Sequence, residues 1–353
     1  MMLKIHYFTL PALLSAFTLF FNLQAHAAED IYPYKMGKTK KFVCSNDHYE
    51  PSGIIQIENN WFLIVDDKKP KDKPSEKGYG FLLFNAKNGI FLRNQEILGG
   101  YDIIIKEMAI DGFDNMEAIT KTTDGIYYAV TSNSIHAVDP RRNNPGRKAL
   151  IRFKVVENDN KKCPFKLAPL GNSIWDFRNW VISSCPQMLD MMQGYIEPGS
   201  FDIEGLSISQ NSKELLIGLR KPLTADGHAI IVRAAIVSPW DSEKLELSYN
   251  GFFTIDMSGR GVSSIEYSNI YNGYLVCART PQEHTEKNPE IFILKNAGNP
   301  NQTITSLNKQ FGTHKNAEGI TTAEIDGKTY LLIAYDRIKD IQKGAVELIE
   351  LAE

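Results

Sequence analysis

From residue 42 onward the chain is a series of short apolar runs divided by turn clusters. Runs at 61–65, 80–84, 126–130, 149–156, 215–219, 229–237, 274–277, 290–294, 330–335 and 345–351 are rich in Val, Ile, Leu, Phe and Tyr. Clusters of Asn, Asp, Gly and Pro separate them. Runs of this length between such breakers predict β-strands. Helical periodicity is nearly absent. The one predicted helix covers 186–195, where Met188, Leu189, Met191 and Met192 read as packing residues.

Five segments repeat one layout: a small turn, a short strand, a turn, and a second strand that ends on a polar or charged residue. They are Ser52-Gly53-Ile54-Ile55 with 61–66, Met116-Glu117-Ala118-Ile119 with 126–132, and Ile203-Glu204-Gly205-Leu206 with 215–220. Ile265-Glu266-Tyr267-Ser268 with 274–279 and Ala317-Glu318-Gly319-Ile320 with 330–336 complete the set. Taken at positions 53, 117, 204, 266 and 318, the spacings are 64, 87, 62 and 52 residues. Propeller blades have about this size. The predicted fold is therefore all-β: a closed β-propeller of five blades, with six as the alternative, each blade of four antiparallel strands. The long spacing holds 161–199, an irregular and partly helical stretch that is either an insertion or a degenerate sixth blade. The last cassette has a third strand at 345–351 and no fourth. Segment 34–43 is predicted to supply it, so that both termini share one blade and close the ring.

In such a blade the innermost strand starts, and the second strand ends, at the same face of the ring. Glu117, Glu204, Glu266 and Glu318 would then open four innermost strands. Asp66, Ser132, Arg220, Arg279, Asp336 and Arg337 would close the second strands. All are expected at one mouth of the channel. Clustered carboxylates suit a hard cation, so Glu117, Glu204 and Glu318 are candidate ligands for Ca²⁺. Arginines grip phosphate or carboxylate through paired hydrogen bonds, so Arg220, Arg279 and Arg337 are candidates for an anionic or other small-molecule ligand. Metal and arginines together would suit phosphoester hydrolysis. The plainer alternative is that each Glu pairs with a neighbouring Arg and only fixes the blade. His228, in the hairpin after Arg220, is placed to overhang the same mouth.

The first residues change the picture of compartment. Lys4, a mostly apolar run at 8–21 and Ala25-His26-Ala27 form a secretory leader pattern, with residues 1–27 removed and 28–353 left as one propeller domain. The apolar run is too short for a good membrane span. A soluble, monomeric protein of the periplasm or cell exterior is expected. Export permits disulfides. The four cysteines, Cys44, Cys163, Cys185 and Cys277, allow three pairings. Cys163–Cys185 is favoured because the two flank the irregular stretch; Cys277 lies in an apolar strand and reads as a small core residue. The formal net charge is −3, and loss of the leader removes Lys4 and no acid. That balance excludes a dedicated nucleic-acid binder. The lysines at 35–41 and 68–77 read as solubilising surface. G-x-S-x-G, H-E-x-x-H, the P-loop and C-x-x-C are all absent.

Phe201-Asp202-Ile203-Glu204-Gly205-Leu206, then Gly218-Leu219-Arg220-Lys221-Pro222 and Gly227-His228-Ala229, resemble the bacterial family called domain of unknown function 3616, within the phytase-like and esterase-like β-propellers. Met116-Glu117-Ala118-Ile119 with Thr131-Ser132-Asn133-Ser134 looks like its upstream motif, and Ala317-Glu318-Gly319-Ile320 with Tyr335-Asp336 like its C-terminal one. The resemblance covers most of 52–351. Ala118 stands where the family has glycine. The resemblance implies a propeller and no assigned activity. The sequence-level reading is a secreted propeller that binds a ligand at an acidic and arginine-lined mouth. The alternatives are a Ca²⁺-dependent phytase-like phosphoester hydrolase and a structural or protein-interaction propeller.

Overall fold

The computed structural model describes residues 34–44, 49–67, 80–93, 95–101, 113, 115–134, 145–160, 162–171, 173–185, 201–239, 242–281, 289–307, 317–336 and 343–352. The helix expected at 186–195 and the leader expected at 1–27 lie outside the described residues.

Five antiparallel sheets are arranged around a ring. Blade 1 is β2 (Pro51–Glu58), β3 (Trp61–Asp66), β4 (Phe81–Asn85) and β5 (Ile90–Leu92). Blade 2 is β6 (Met116–Lys121), β7 (Tyr127–Thr131) and β8 (Ala149–Glu157), with its outer position divided between β9 (Phe165–Pro169) and β10 (Ile174–Trp175). Blade 3 is β11 (Asp202–Ile208), β12 (Glu214–Lys221), β13 (Ala229–Ile236) and β14 (Leu247–Ile255). Blade 4 is β15 (Gly261–Ser268), β16 (Gly273–Arg279), β17 (Glu290–Lys295) and β18 (Thr303–Ser306). Blade 5 is β19 (Ala317–Ile325), β20 (Lys328–Tyr335) and β21 (Ala345–Ala352), completed by the N-terminal β1 (Lys35–Val43). The innermost strands β2, β6, β11, β15 and β19 each meet the next, and β19 meets β2. The protein is a five-bladed propeller, with its termini paired in one blade.

The stretch expected to be irregular is therefore no sixth blade. It carries the divided outer strand of blade 2 and then α1 (Phe177–Ser184), the one α-helix among the described residues. Asp176 caps it by accepting from the Asn179 amide. Among the described residues no helix is long and apolar enough to cross a membrane.

The apolar runs have a direct cause. Each sheet packs on both faces, so β4 and β7 are buried at every position and show no polar alternation. Five apolar clusters fill the gaps between neighbouring blades. Hairpins joining first and second strands turn through left-handed residues: Asn59, Gly125, Ser212, Asn272, and Asp326 with Gly327. These hairpins all lie at one face of the ring, opposite the starts of the innermost strands.

The expected Cys163–Cys185 disulfide is not formed; all four cysteines are free and buried. Cys163 belongs to the core between blades 1 and 2, and Cys185 to the core between blades 2 and 3. The sheet of blade 2 stands between them. Cys163 Sγ lies 3.4 Å from Phe165 O and Cys185 Sγ lies 3.0 Å from Tyr249 Oη. Cys277 is a core residue, as expected, and burial pushes its thiol up to about 11.

Arg152, 1% exposed, pins blade 2 to blade 3. Its Nε donates to Leu170 O at 3.0 Å, Nη1 to Pro239 O at 3.1 Å and Nη2 to Ser242 O at 2.7 Å. Arg152→Met leaves three carbonyls without these donors, and each such loss in the interior costs on the order of 1 kcal/mol or more. Urea unfolding should show a loss of about 3 kcal/mol. A change below about 0.5 kcal/mol, the usual size for surface substitutions, would show the clamp to be incidental.

Candidate functional site

All five innermost strands carry a β-bulge near their starts. Pairing skips between Pro51 and Gly53, Met116 and Ala118, Ile203 and Gly205, Val262 and Ser264, and Ala317 and Gly319. The bulged residues are Ser52, Glu117, Glu204, Ser263 and Glu318. The residue after each is small: Gly53, Ala118, Gly205, Ser264 and Gly319. Packing between neighbouring strands explains the small residue. A Cβ on Gly205 would lie 2.6 Å from Val262 Cγ1 of the next blade. One on Gly319 would lie 3.0 Å from both Gly53 Cα and Ser52 O, across the seam where the ring closes. The bulge then re-aims the preceding side chain at the channel mouth.

Three of the four predicted glutamates, Glu117, Glu204 and Glu318, occupy these positions. Glu266 does not. It pairs with Leu275, three residues beyond the bulge of β15 and toward the opposite end of the channel. Its place at the mouth belongs to Ser263, whose Oγ donates to Cys277 O at 3.1 Å. Arg220 and Arg279 stand at the ends of β12 and β16, and Asp336 follows the end of β20, as expected. Arg337 lies outside the described residues. Asp66 closes β3, is 1% exposed, and is ion-paired with Arg93; its Oδ1 accepts from Glu50 N at 2.7 Å. The His228 backbone is tied to Thr224 in the turn before β13.

The mouth residues form two groups. In the first, Arg220 Nη1 donates to Glu204 Oε1 at 2.5 Å and lies 3.9 Å from Asp202 Oδ2. Its Nε reaches Thr280 O of blade 4 at 3.4 Å. Glu204 beside it raises the guanidinium further above its ordinary value. Glu117 accepts from the Asn115 side chain. Burial, then repulsion from Asp67, Glu204 and Asp202, holds the Glu117 carboxyl well above the usual carboxylate range. Burial, then Glu204, pushes Asp202 up to about 7, against the pull of Arg220, Lys221 and Arg147. In the second group Arg279 is ion-paired with Glu318, and Ser52 Oγ donates to Glu318 Oε2 at 3.3 Å. That chain links blades 4, 5 and 1.

The proposed Ca²⁺ ligands are not assembled. Glu204 and Glu318 each face their own arginine, and among the described residues no group of three or more His, Cys, Asp or Glu is placed to hold a metal ion. The donor set does not fit the ion. Asp202, Asp67, Ser52 and Ser263 are site residues that the motif reading missed. The pattern of Glu or Ser, then a small residue, then Ile or Leu finds Ser52 and Ser263, and Asp202 lies two residues before Glu204.

No family model and no curated protein matches the chain. Among solved structures it is similar to a protein of unknown function from Bacteroides thetaiotaomicron VPI-5482, at 9% identity over 89% of this chain and 76% of that one, TM-score 0.38. It is also similar to the major Malassezia sympodialis allergen Mala s 1, at 10% identity over 87% and 96%, TM-score 0.43. An exo-β-1,3-galactanase from Phanerochaete chrysosporium matches at 9% identity over 87% and 64%, TM-score 0.44. At this distance none of them bears on what the site does.

Arg220→Met leaves Glu204 and Asp202 without their nearest cation. The Asp202 carboxyl, already raised, then favours its protonated form more strongly in the folded state. The loss of stability should reach about 3 kcal/mol at pH 8. It should shrink at pH 5, where protons replace the guanidinium. Urea unfolding at the two pH values checks this; an equal loss at both would mean that Arg220 acts through packing alone.

Proposed function

We propose that this propeller binds a small ligand at the channel mouth through a cationic or hydrogen-bond-donating group. The observation that carries the reading is the crowding of Glu117, Asp202 and Glu204 around Arg220, with Asp67 acting on Glu117: the Glu117 carboxyl is held well above the usual carboxylate range and Asp202 is pushed up to about 7. A site in which carboxyls repel one another gains from any positive charge brought to it. An ammonium or guanidinium group would displace the protons that raised carboxyls keep and pair with the carboxylates. An anion has less to gain, because Arg220 and Arg279 already face Glu204 and Glu318. The leader pattern at 1–27 would put the encounter in the periplasm or outside the cell. The phosphoesterase alternative needs a metal, and its candidate donors are not assembled among the described residues.

A thermal-shift panel of amines, guanidino compounds, polyols, phosphates and carboxylates, run at pH 6 and pH 8, tests the proposal. Amines or guanidino compounds should raise the melting temperature by several degrees. The rise should be larger at pH 8, where Asp202 no longer has to give up a proton. It should vanish in Glu117→Gln, which cannot ionise. Stabilisation by phosphates or carboxylates instead would overturn the cationic reading in favour of an anion grip. No shift with any compound would leave a structural or protein-interaction propeller.

A further inference from the structure

At the far end of the channel, three residues past each bulge, stand Ile55, Thr120, Ser207, Glu266 and Thr321. The polar groups there have partners: Thr120 Oγ1 donates to Glu266 Oε2 across the channel at 3.0 Å, and the Tyr267 amide donates to Ser207 Oγ at 3.1 Å. Beside the mouth, between blades 2 and 3, one group does not. Arg178, the second residue of α1, is 5% exposed. Its Nε and Nη1 are buried and meet no hydrogen-bond acceptor among the described residues. The guanidinium lies over the ring of Phe201, 5.5 Å from the centroid, and Phe201 immediately precedes Asp202 of the mouth. Burying a charge without an acceptor is unfavourable, and in the first turn of a helix the backbone dipole also disfavours a cation. Burial lowers the guanidinium below its ordinary value, against the pull of Asp176. The Asp176 oxygens are engaged elsewhere: Oδ1 accepts from the Asn179 amide at 3.4 Å, and Oδ2 accepts from Asn179 Nδ2 at 2.7 Å and lies 3.8 Å from Lys148 Nζ. Arg178 is therefore not a clamp of the kind that Arg152 forms with three carbonyls.

A second arginine is seated at the same junction. Asn133, in the left-handed conformation just past the end of β7, accepts from the Arg178 amide on Oδ1 at 2.9 Å and donates its own amide to Arg147 O at 3.0 Å. Arg147 Nη2 donates to Ser134 Oγ at 3.1 Å, and the Arg147 charge reaches Asp202. Ser134 is only half-buried, so the junction meets solvent there. We propose that Arg178 is held for an oxyanion on the ligand, so that the mouth recognises a zwitterion: a carboxylate or phosphate group enters between blades 2 and 3 and pairs with Arg178, beside Arg147 and Ser134, while the ligand's ammonium pairs with Glu117 and Asp202. The ammonium half rests on the cationic reading above; the oxyanion half does not. Arg220 and Arg279 are unsuited to the role, because each already faces a glutamate. A guanidinium presents paired donors, the geometry that carboxylate and phosphate match.

Titration calorimetry at neutral pH would set ω-amino acids of increasing length beside the alkylamine, the alkyl carboxylate and the aminoalkylphosphonate of the same length. In the wild type, at one length, the amino acid or the aminophosphonate should bind at least about tenfold more tightly than the amine, the size of one hydrogen-bonded charge pair. The tighter of the two identifies the oxyanion. In Arg178→Met that advantage should vanish while the amine binds as before. Without ligand, Arg178→Met should melt at or above the wild-type temperature, because methionine keeps the apolar stem and buries no charge. A structural arginine would show a loss instead, and a loss with binding unchanged would overturn the proposal. Arg178→Gln repeats the comparison if the methionine variant fails to fold. Amines that bind with no gain from either oxyanion, or a gain that survives in both variants, would overturn the oxyanion subsite and leave the cationic reading intact. Binding of alkyl carboxylates but not of amines would overturn the cationic reading and the zwitterion with it. No binding by any of these compounds would overturn both.

Discussion

At one level of the channel, neighbouring innermost strands approach so closely that nothing larger than a small side chain fits between them. Gly205 against Val262, and Gly319 against Gly53, mark that level in two of the blades. The ring depends on this contact. It forces a small residue into every innermost strand, and the bulge beside it turns the preceding residue toward the mouth. The five inter-blade cores then close around strands whose positions are already set.

That single constraint gives the channel two chemically different ends. On the bulge side stand Glu117, Glu204 and Glu318, with two arginines arriving from the ends of β12 and β16. Two of these glutamates are neutralised by arginines, which both fixes the blades and shields the charge. Glu117 and Asp202 have no arginine to themselves, and burial, then repulsion from neighbouring carboxylates, raises both carboxyls above their ordinary values. Three residues further along, the channel is lined by hydroxyls and one carboxyl, where charge is disfavoured by burial. The plain pairing of glutamate with arginine and the binding of a ligand are therefore not exclusive readings. The first accounts for Glu204 and Glu318, and the second rests on Glu117 and Asp202.

The fold was legible in the sequence because both faces of each sheet are buried. Continuous apolar runs between Asn, Asp and Gly hairpins marked the strands, and the unfilled last blade pointed to β1. The site was less legible. Ile265-Glu266 resembles Ile203-Glu204, and matching on the glutamate put blade 4 out of register by three residues. In that register Tyr267 would take the place of Gly205, where even a methyl group meets Val262. Ser263-Ser264-Ile265 satisfies the close approach and is the true counterpart. The divided strand of β9 and β10 escaped notice because its pieces are five and two residues long. The cysteine pairing failed because flanking a segment in sequence does not place two residues on the same face of a sheet.

The central claim is that register: Ser263 at the mouth and Glu266 at the far end, bonded to Thr120 across the channel. A double-mutant cycle on Thr120→Val and Glu266→Leu, read by urea unfolding at pH 6, tests it most directly. The two positions are 146 residues apart in the chain, and only this register brings them into contact. A coupling energy of about 1 kcal/mol is predicted, within the range for hydrogen-bonded partners. Additivity to within about 0.3 kcal/mol, as for distant sites, would place Glu266 elsewhere and contradict the account.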